Sequence, residues 1–147
     1  MTNPKKARHE LSEFLRDAEE LTKSKPDYAG NAIRNFWEGI IPRLGAMFAC
    51  EDTTCKEKRH RLDNTAKNLK NHIPRLVSDQ LVAMQNLGNY SAHLAQLREE
   101  EYPLHPSVVM HYVDEGRRIL DLYFPTHGIV SGPMSSPPTT TIIVDPM

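Results

Sequence analysis

The sequence predicts an all-α protein: a compact bundle of four to five helices followed by a disordered C-terminal tail. Apolar side chains recur every three or four positions over residues 7–124, a spacing typical of helices that pack one face on a core, and no convincing strand alternation interrupts it. A chain of 147 residues with 39% hydrophobic and 25% charged residues has enough apolar material for one such core. From Pro125 onward Asp145 is the only formally charged residue and five of the eleven prolines occur, so this segment cannot bury enough surface to order itself.

We therefore expect one helical domain over residues 1–124 and a flexible Pro-, Ser- and Thr-rich tail over residues 125–147. The formal net charge is −1, so the average composition does not indicate a nucleic-acid partner. No apolar run approaches the roughly 20 residues of a membrane-spanning helix, and no apolar segment follows the basic residues near the N-terminus. Two cysteines are too few for a disulfide framework. We expect a cytoplasmic protein with reduced thiols and no membrane association.

The first two helices are expected over residues 7–22 and 28–48. Pro42 lies within the second, where it removes a backbone donor and crowds the preceding turn, so we expect a kink or a break near Ile41. The second helix is the most hydrophobic part of the chain, and we expect Trp37 at the centre of its packing. The side chains expected to face the core from these helices are Leu11, Phe14, Leu15, Ala18, Leu21, Ile33, Phe36, Trp37, Ile40, Leu44, Met47 and Phe48.

The third helix is expected over residues 61–71, and Pro74 ends it. Ser78 is the expected N-cap of the fourth helix, because a serine side chain there accepts a hydrogen bond from a free backbone N–H of the first turn. Gly88 leaves two alternatives open: the fourth helix ends there or continues to Leu97, since glycine costs a helix interior only about 1 kcal/mol relative to alanine.

The fifth helix is the best defined in the sequence. It begins at Pro106, a favourable first-turn residue, and Pro125 closes it. Four to five helices with short connections predict a bundle. The side chains expected to face the core from the fifth helix are Val109, Tyr112, Val113, Gly116, Ile119, Leu120 and Tyr123.

Positive charge is concentrated between residues 56 and 75, where seven Lys and Arg face only two acidic residues. Lys67 and Lys70 share one helix face, so together with Arg75 they are candidates for binding a phosphate backbone. Arg98 is a further candidate. The alternative is a solvated face balanced by the glutamates at 99–101. No aromatic residue lies within this basic segment, which argues against stacking on single-stranded bases.

No convincing metal or cofactor site is visible. Cys50, Cys55, His60 and His72 occur in order, but the second close pair of ligands that completes a structural zinc site is absent. No phosphate-binding glycine loop or dinucleotide-binding pattern occurs either. We expect no metal and no cofactor, and interpret the cysteines as two reduced thiols near a loop.

Residues 87–93, with the sequence LGNYSAH, are the strongest candidate for chemistry. Asn89 and His93 are four positions apart, so on a continuous helix they lie on the same side. An asparagine amide that orients the imidazole would leave its other nitrogen free as a general acid or base. The alternative is structural: an asparagine cap and a histidine bonded inside the bundle.

The pattern Gly-Asn-x-x-Ala-His resembles the HEPN superfamily, in particular a prokaryotic branch of unassigned function that is also found fused to restriction and defence proteins. The resemblance is strongest over residues 27–124. It extends from residues 29–34 through 87–93 to 119–123. It implies a compact all-α bundle that commonly forms a homodimer, and a role in nucleic-acid-associated processes or in defence against foreign elements.

In active HEPN ribonucleases an arginine, a neighbouring polar residue and a histidine form a metal-independent site that cleaves RNA through the 2′-hydroxyl. The resemblance places His93 at the catalytic histidine and Asn89 at the polar position. Gly88 stands where the arginine belongs, and Gln85, where this branch often has an arginine, is not one either. Loss of a cation at a developing phosphorane charge removes several kcal/mol of transition-state stabilisation, on the order of one lost oxyanion donor.

We therefore expect a non-catalytic HEPN-like module that binds RNA, another nucleic acid or protein. One alternative is a metal-independent ribonuclease toxin that uses His93 and Asn89, with charge from Arg98 or Arg75. A second alternative is a scaffold subunit that docks on a larger assembly through the apolar residues 142–144 of its tail.

Overall fold

A computed structural model of the chain describes residues 4–97 and 104–125, leaving aside the side chains of Pro4, Asp27 and residues 90–97. Within these residues the protein is all-α and contains no strand, which confirms the predicted fold class. The expected C-terminal tail lies outside the described residues, apart from Pro125. The five helices are α1 (Pro4–Ser24), α2 (Pro26–Met47), α3 (Lys58–Leu69), α4 (Arg75–Leu97) and α5 (Pro106–Tyr123).

Helix α2 is the centre of the bundle, because it packs against each of the other four helices. Its sequence carries apolar side chains on more than one face, as expected of a helix surrounded by others. Trp37 is only 3% exposed, as the sequence predicts. The α2 side chains with no exposed surface are Ala29, Ile33, Phe36, Ile40, Ile41 and Leu44.

Pro42 predicts a kink or a break near Ile41, and the break does not occur: α2 continues through Pro42 to Met47. The missing backbone donor removes one hydrogen bond, whereas Ile40, Ile41 and Leu44 on either side are completely buried. Burial on both sides of the proline therefore holds the helix together. Met47, expected in the core, is 46% exposed because it lies at the last residue of the helix.

Helix α4 begins at Arg75, one turn before the predicted start, so the prediction that Ser78 is its N-cap is wrong. The backbone N–H of Ser78 donates to the carbonyl of Pro74 at 3.0 Å and is already part of the helix. The earlier start places Val77 against the core and buries Ser78. At the other end, α4 passes through Gly88 and continues to Leu97, which decides between the two alternatives.

Helix α5 begins at Pro106 and ends at Tyr123, as predicted. It packs against α1 and completes the bundle. Arg8 of α1 binds the C-terminal end of α5: its Nη1 donates to the carbonyl of Phe124 and its Nη2 to Asp121 Oδ1, both at 2.8 Å. The side chains of α5 that are buried are Val109, Val113, Ile119 and Leu120, and Gly116 is buried with them.

Candidate functional site

One pocket between α2, α3 and α4 combines charged, amide and aromatic side chains. Its volume is about 320 Å³. We call it the α2–α4 pocket. It is lined by Arg34, Trp37 and Glu38 of α2, Lys58, Arg59, Leu62 and Asp63 of α3, and Gln85 and Asn89 of α4.

Helices α2 and α4, which both line the pocket, approach each other closely at Gly88. A Cβ atom added to Gly88 would overlap the Cβ of Arg34 and lie 2.8 Å from its Cγ. Only a residue without a side chain fits at this crossing. The glycine of the motif therefore brings Arg34 next to Asn89, and both line the pocket.

Two polar contacts organise the pocket walls. Arg34 Nε donates to Glu38 Oε2 at 3.2 Å, one turn further along α2. Gln85 Nε2 donates to Asp63 Oδ1 at 3.0 Å and so links α4 to α3. Both carboxylates of the pocket are thus already engaged by protein donors.

The connection between α2 and α3 is hydrogen-bonded to side chains of α3. These hydrogen bonds position the start of α3. Asp52 Oδ2 accepts from Asn64 Nδ2 at 2.8 Å, and its Oδ1 accepts from the backbone N–H and the hydroxyl of Thr54. These hydrogen bonds to the ionised form lower the pKa of Asp52 to about 2. Arg61 Nη1 donates to the carbonyls of Cys55 and Lys56 at 2.7 and 2.8 Å.

The first turn of α3 carries two cations, Lys58 and Arg59. Both side chains are exposed, and neither has an ion-pair partner among residues 4–97 and 104–125. The N-cap residue Glu57 makes no side-chain cap, and no acidic residue lies in the first turn. Positive charge here is opposed by the positive end of the helix dipole. Helix α3 therefore brings two positive charges to the pocket, together with the carboxylate of Asp63.

Trp37 contributes an unsatisfied donor. Its indole Nε1 is buried and has no hydrogen-bond partner in the described part of the chain. The indole N–H is a donor only, so it requires an oxygen or another acceptor. Leaving it unpaired in a buried site costs about 1–3 kcal/mol.

The structure brings some of the predicted site residues together and not others. Asn89 lines the α2–α4 pocket, and Gln85 lies beside it. The backbone of His93 follows Asn89 by four residues on the same unbroken helix, but the His93 side chain lies outside the described residues. Arg98 lies outside them as well.

The predicted phosphate-binding residues Lys67, Lys70 and Arg75 do not line this pocket. All three are exposed at the other end of α3 and at the start of α4, and Arg75 Nε lies 3.9 Å from Asp79 Oδ2. The basic residues between 56 and 75 thus lie in two places. Lys58 and Arg59 are at the pocket, whereas Lys67, Lys70 and Arg75 are outside it.

The cysteines and histidines considered as metal ligands have other surroundings. Burial raises the pKa of the Cys50 thiol. His60 Nε2 lies 3.3 Å from Glu57 Oε1, and His72 stacks on Phe48 with ring centroids 5.8 Å apart. Within the described ranges no three His, Cys, Asp or Glu side chains are placed to hold a metal ion.

Sequence reasoning missed Arg34, Trp37 and Glu38 as site residues. Trp37 was interpreted as a packing residue, and the Arg34–Glu38 pair has the common spacing of an exposed helical ion pair. The available signal was the motif glycine, since a small residue within an apolar helix indicates close approach of another element. It does not say which side chain approaches.

Comparison with protein-family models, curated proteins and solved structures finds no match to this chain. None of the described helices is both long enough and apolar enough to cross a membrane. The features that bear on function are therefore the α2–α4 pocket and the motif residue Asn89 that lines it.

Proposed function

We propose that the chain is a non-cleaving, RNA-binding module of the HEPN-like type, with the α2–α4 pocket as its RNA interface. The observation that carries this proposal is the meeting of Asn89, from the Gly-Asn-x-x-Ala-His motif, with Arg34, Lys58 and Arg59 in one pocket. Cationic side chains supply most of the affinity of proteins for a phosphate backbone. The resemblance to HEPN proteins supports RNA as the nucleic acid.

We infer that the protein does not cleave RNA because the two motif positions at which HEPN ribonucleases carry an arginine, Gly88 and Gln85, are not cationic here. Gly88 supplies no guanidinium, and its contact with Arg34 leaves no room for a longer side chain. Gln85 is neutral, and its amide donates to Asp63. A phosphorane intermediate would therefore lack a cation from α4 at these two positions.

A metal-independent ribonuclease is the second candidate, and one contact favours it. Arg34 approaches Gly88 from α2, so its guanidinium could replace the missing arginine of the motif. In this mechanism His93 would act as general acid or base and Asn89 would orient it. The Arg34–Glu38 ion pair opposes this role, because it draws the guanidinium to a carboxylate.

The binding test compares two double variants that each remove two positive charges from α3. Fluorescence anisotropy with a labelled single-stranded RNA measures the Kd at several salt concentrations. We expect Lys58→Gln/Arg59→Gln to weaken binding about tenfold or more and to reduce the salt dependence by roughly one to two ions. Lys67→Gln/Lys70→Gln, the matched variant outside the pocket, should change the Kd by less than about threefold. The reverse order would move the interface to the other end of α3, and no binding by the unmodified protein would refute the proposal.

The cleavage test incubates the purified protein with RNA in EDTA, beside His93→Ala and Arg34→Gln. Circular dichroism checks that both variants keep their helical content. We expect no cleavage by any of the three proteins. Cleavage by the unmodified chain that both variants lose would instead establish the ribonuclease with Arg34 as its cation.

The resemblance also leads us to propose a homodimer. Light scattering during size-exclusion chromatography gives the mass directly, and we expect about twice the 16.8 kDa of one chain. A monomer at all concentrations would remove this part of the proposal and leave the RNA interface to be judged by the binding test.

A further inference from the structure

Helix α4 presents an outward stripe of side chains that includes two large apolar residues. Leu76 is 70% exposed and Val82 is 37% exposed, although leucine and valine are more often buried. The exposed positions recur every three or four residues, so they share one side of the helix. We call this stripe the α4 face. Over residues 75–89 it consists of Arg75, Leu76, Asp79, Val82, Asn86 and Asn89.

Helix α4 has the lowest charge content of the five described helices. Arg75 and Asp79 are the only formally charged residues among its 23, whereas α1 carries ten in 21 and even the central helix α2 carries four in 22. The exposed face of a helix on a protein surface is usually charged or polar. Depletion of charge together with exposed apolar side chains is instead typical of the centre of a protein–protein interface.

The α4 face lies on the side of the helix that the bundle leaves uncovered. Helix α4 packs chiefly against α2, through the buried residues Leu81, Met84 and Leu87. It reaches α3 through the hydrogen bond from Gln85 to Asp63. Since the positions of the α4 face are exposed, no other element of residues 4–97 and 104–125 covers them.

The charges of the α4 face favour a second copy of this chain as its partner. A two-fold contact brings the same surface together from both copies, so a surface with net charge repels its own copy. The α4 face carries one positive and one negative residue, with Arg75 Nε 3.9 Å from Asp79 Oδ2, and therefore has no net charge. A nucleic acid gains little at such a surface, because its affinity comes from unbalanced cations.

The spacing of the exposed positions also suits a contact of the face with itself. They extend from Arg75, seven residues before Val82, to Asn89, seven residues after it. If two α4 helices cross in antiparallel orientation at Val82, Arg75 and Asp79 of one copy lie opposite the uncharged half of the other. Like charges then do not meet, and the two exposed valines contact each other at the crossing.

We propose that the α4 face is the homodimer interface, with the two α4 helices antiparallel and crossing near Val82. Contact with the second copy removes Leu76 and Val82 from water, which is the main gain from forming it. This inference rests on the homodimer of the proposed function and adds which surface forms it.

The first test measures the dimer Kd by sedimentation equilibrium for the unmodified protein, Val82→Glu and Val108→Glu. Val108 is a matched control, because it is 39% exposed and lies on α5. Circular dichroism checks that both variants keep their helical content. In Val82→Glu two carboxylates meet at the crossing, so we expect the dimer Kd to rise at least about tenfold. Val108→Glu should change it by less than about threefold.

A second test does not require the dimer to be disrupted. Val82→Cys places two thiols across the crossing, where oxidation joins them in a disulfide. Denaturing, non-reducing electrophoresis should then show a covalent dimer of about twice 16.8 kDa. Val108→Cys and the unmodified protein, which retains Cys50 and Cys55, should run as single chains.

The outcomes separate this inference from the proposals on which it rests. A dimer that Val82→Glu leaves intact, or that Val108→Glu weakens equally, would overturn the assignment to the α4 face and leave the homodimer standing. No disulfide in Val82→Cys, or as much in Val108→Cys, would overturn the crossing at Val82. A monomeric unmodified protein would overturn both the homodimer and this inference, whereas RNA binding is decided separately by anisotropy.

Discussion

At the scale of single residues, Gly88 determines how closely α4 approaches α2. The nearest atom to an added Cβ is the Cβ of Arg34, which is fixed to the α2 backbone and cannot rotate away. The two helices would have to separate to admit a side chain. The same contact brings Arg34 and Asn89 into one pocket. The close packing of α2 against α4 therefore also sets the geometry of the pocket.

We expect Gly88→Ala to lower the free energy of unfolding by about 1–2 kcal/mol, because an overpacking cost of up to about 3 kcal/mol at this crossing outweighs the roughly 1 kcal/mol gained in helix propensity. Urea unfolding followed by circular dichroism measures the change. Asn86→Ala, at an exposed position of the same helix, should stay within about 0.5 kcal/mol of the unmodified protein. A Gly88→Ala variant as stable as Asn86→Ala would show that this contact does not set the helix separation.

A second effect at the scale of single residues is the lowered pKa of Asp52, which neighbouring hydrogen-bond donors cause. Hydrogen bonds from Asn64 and Thr54 hold its folded-state pKa at about 2, below the ordinary value of 3.8. Its contribution to stability is therefore present above pH 3.8 and is lost as the pH falls through about 2. Asp52 is only partly buried in the connection that leads into α3, so solvent screens its charge and the contribution is small.

We expect Asn64→Ala to raise the pKa of Asp52 toward its ordinary value, since the side-chain hydrogen bond from Asn64 is the largest cause of the shift. Carbon-detected NMR of the carboxyl group during an acid titration gives the midpoint in each protein. Asn71→Ala, a second exposed asparagine after α3, should leave the midpoint near 2. An unchanged midpoint in Asn64→Ala would assign the shift to the hydrogen bonds from Thr54 and from the backbone of Cys55.

At the scale of elements, α2 tolerates a proline that its sequence does not favour. Pro42 provides no N–H for the carbonyl of Glu38, and it is expected to weaken the helix locally. Burial of the residues on both sides offsets this loss, since a fully buried isoleucine or leucine contributes about 1.5–3 kcal/mol. The helix is thus held by its neighbours more than by its own propensity.

We expect Pro42→Ala to raise the free energy of unfolding by about 1–3 kcal/mol, because alanine restores the backbone donor within a helix that is already formed. Urea unfolding again measures the change. Pro106→Ala is the matched control: Pro106 occupies the first turn of α5, where the missing N–H has no helical acceptor, so no comparable gain should follow. A loss of stability in Pro42→Ala would show that the surrounding helices are fitted to a proline there.

At the scale of the whole molecule, the bundle is closed by α1 and α5, which lie at opposite ends of the described chain. Arg8 binds the end of α5, and Arg117 Nη2 donates to Glu19 Oε1 at 2.6 Å. Phe124, directly after α5, is only 4% exposed. The core residues of the described chain lie between Ala7 and Phe124.

We expect deletion of residues 126–147 to change the free energy of unfolding by less than about 0.5 kcal/mol, because a Pro-, Ser- and Thr-rich segment with one charged residue and few apolar ones has little surface to bury in a core. Phe124→Ala in the full-length chain should in contrast cost about 3 kcal/mol. Thermal and urea unfolding of the two variants provide the comparison. A deletion as damaging as Phe124→Ala would show that residues beyond Pro125 contribute to the core.

The fold class and the approximate position of each helix could be predicted from local patterns in the sequence. Apolar residues at every third or fourth position predict helices, and a helix start such as Pro106 is marked by the residues of its own first turn. These signals are local, and each extends over one or two turns. The motif at 87–93 likewise predicts Asn89 as a candidate site residue, and the structure places Asn89 in the lining of the α2–α4 pocket.

Contacts between helices, and not local sequence, explain why α2 passes through Pro42, why α4 begins at Arg75 and why it continues beyond Gly88. Each is a choice whose local cost is about 1–3 kcal/mol, which burial against another helix can outweigh. The α2–α4 pocket was decided in the same way. Arg34, Lys58 and Gln85 come from three helices, and no local pattern records which side chains meet when those helices pack.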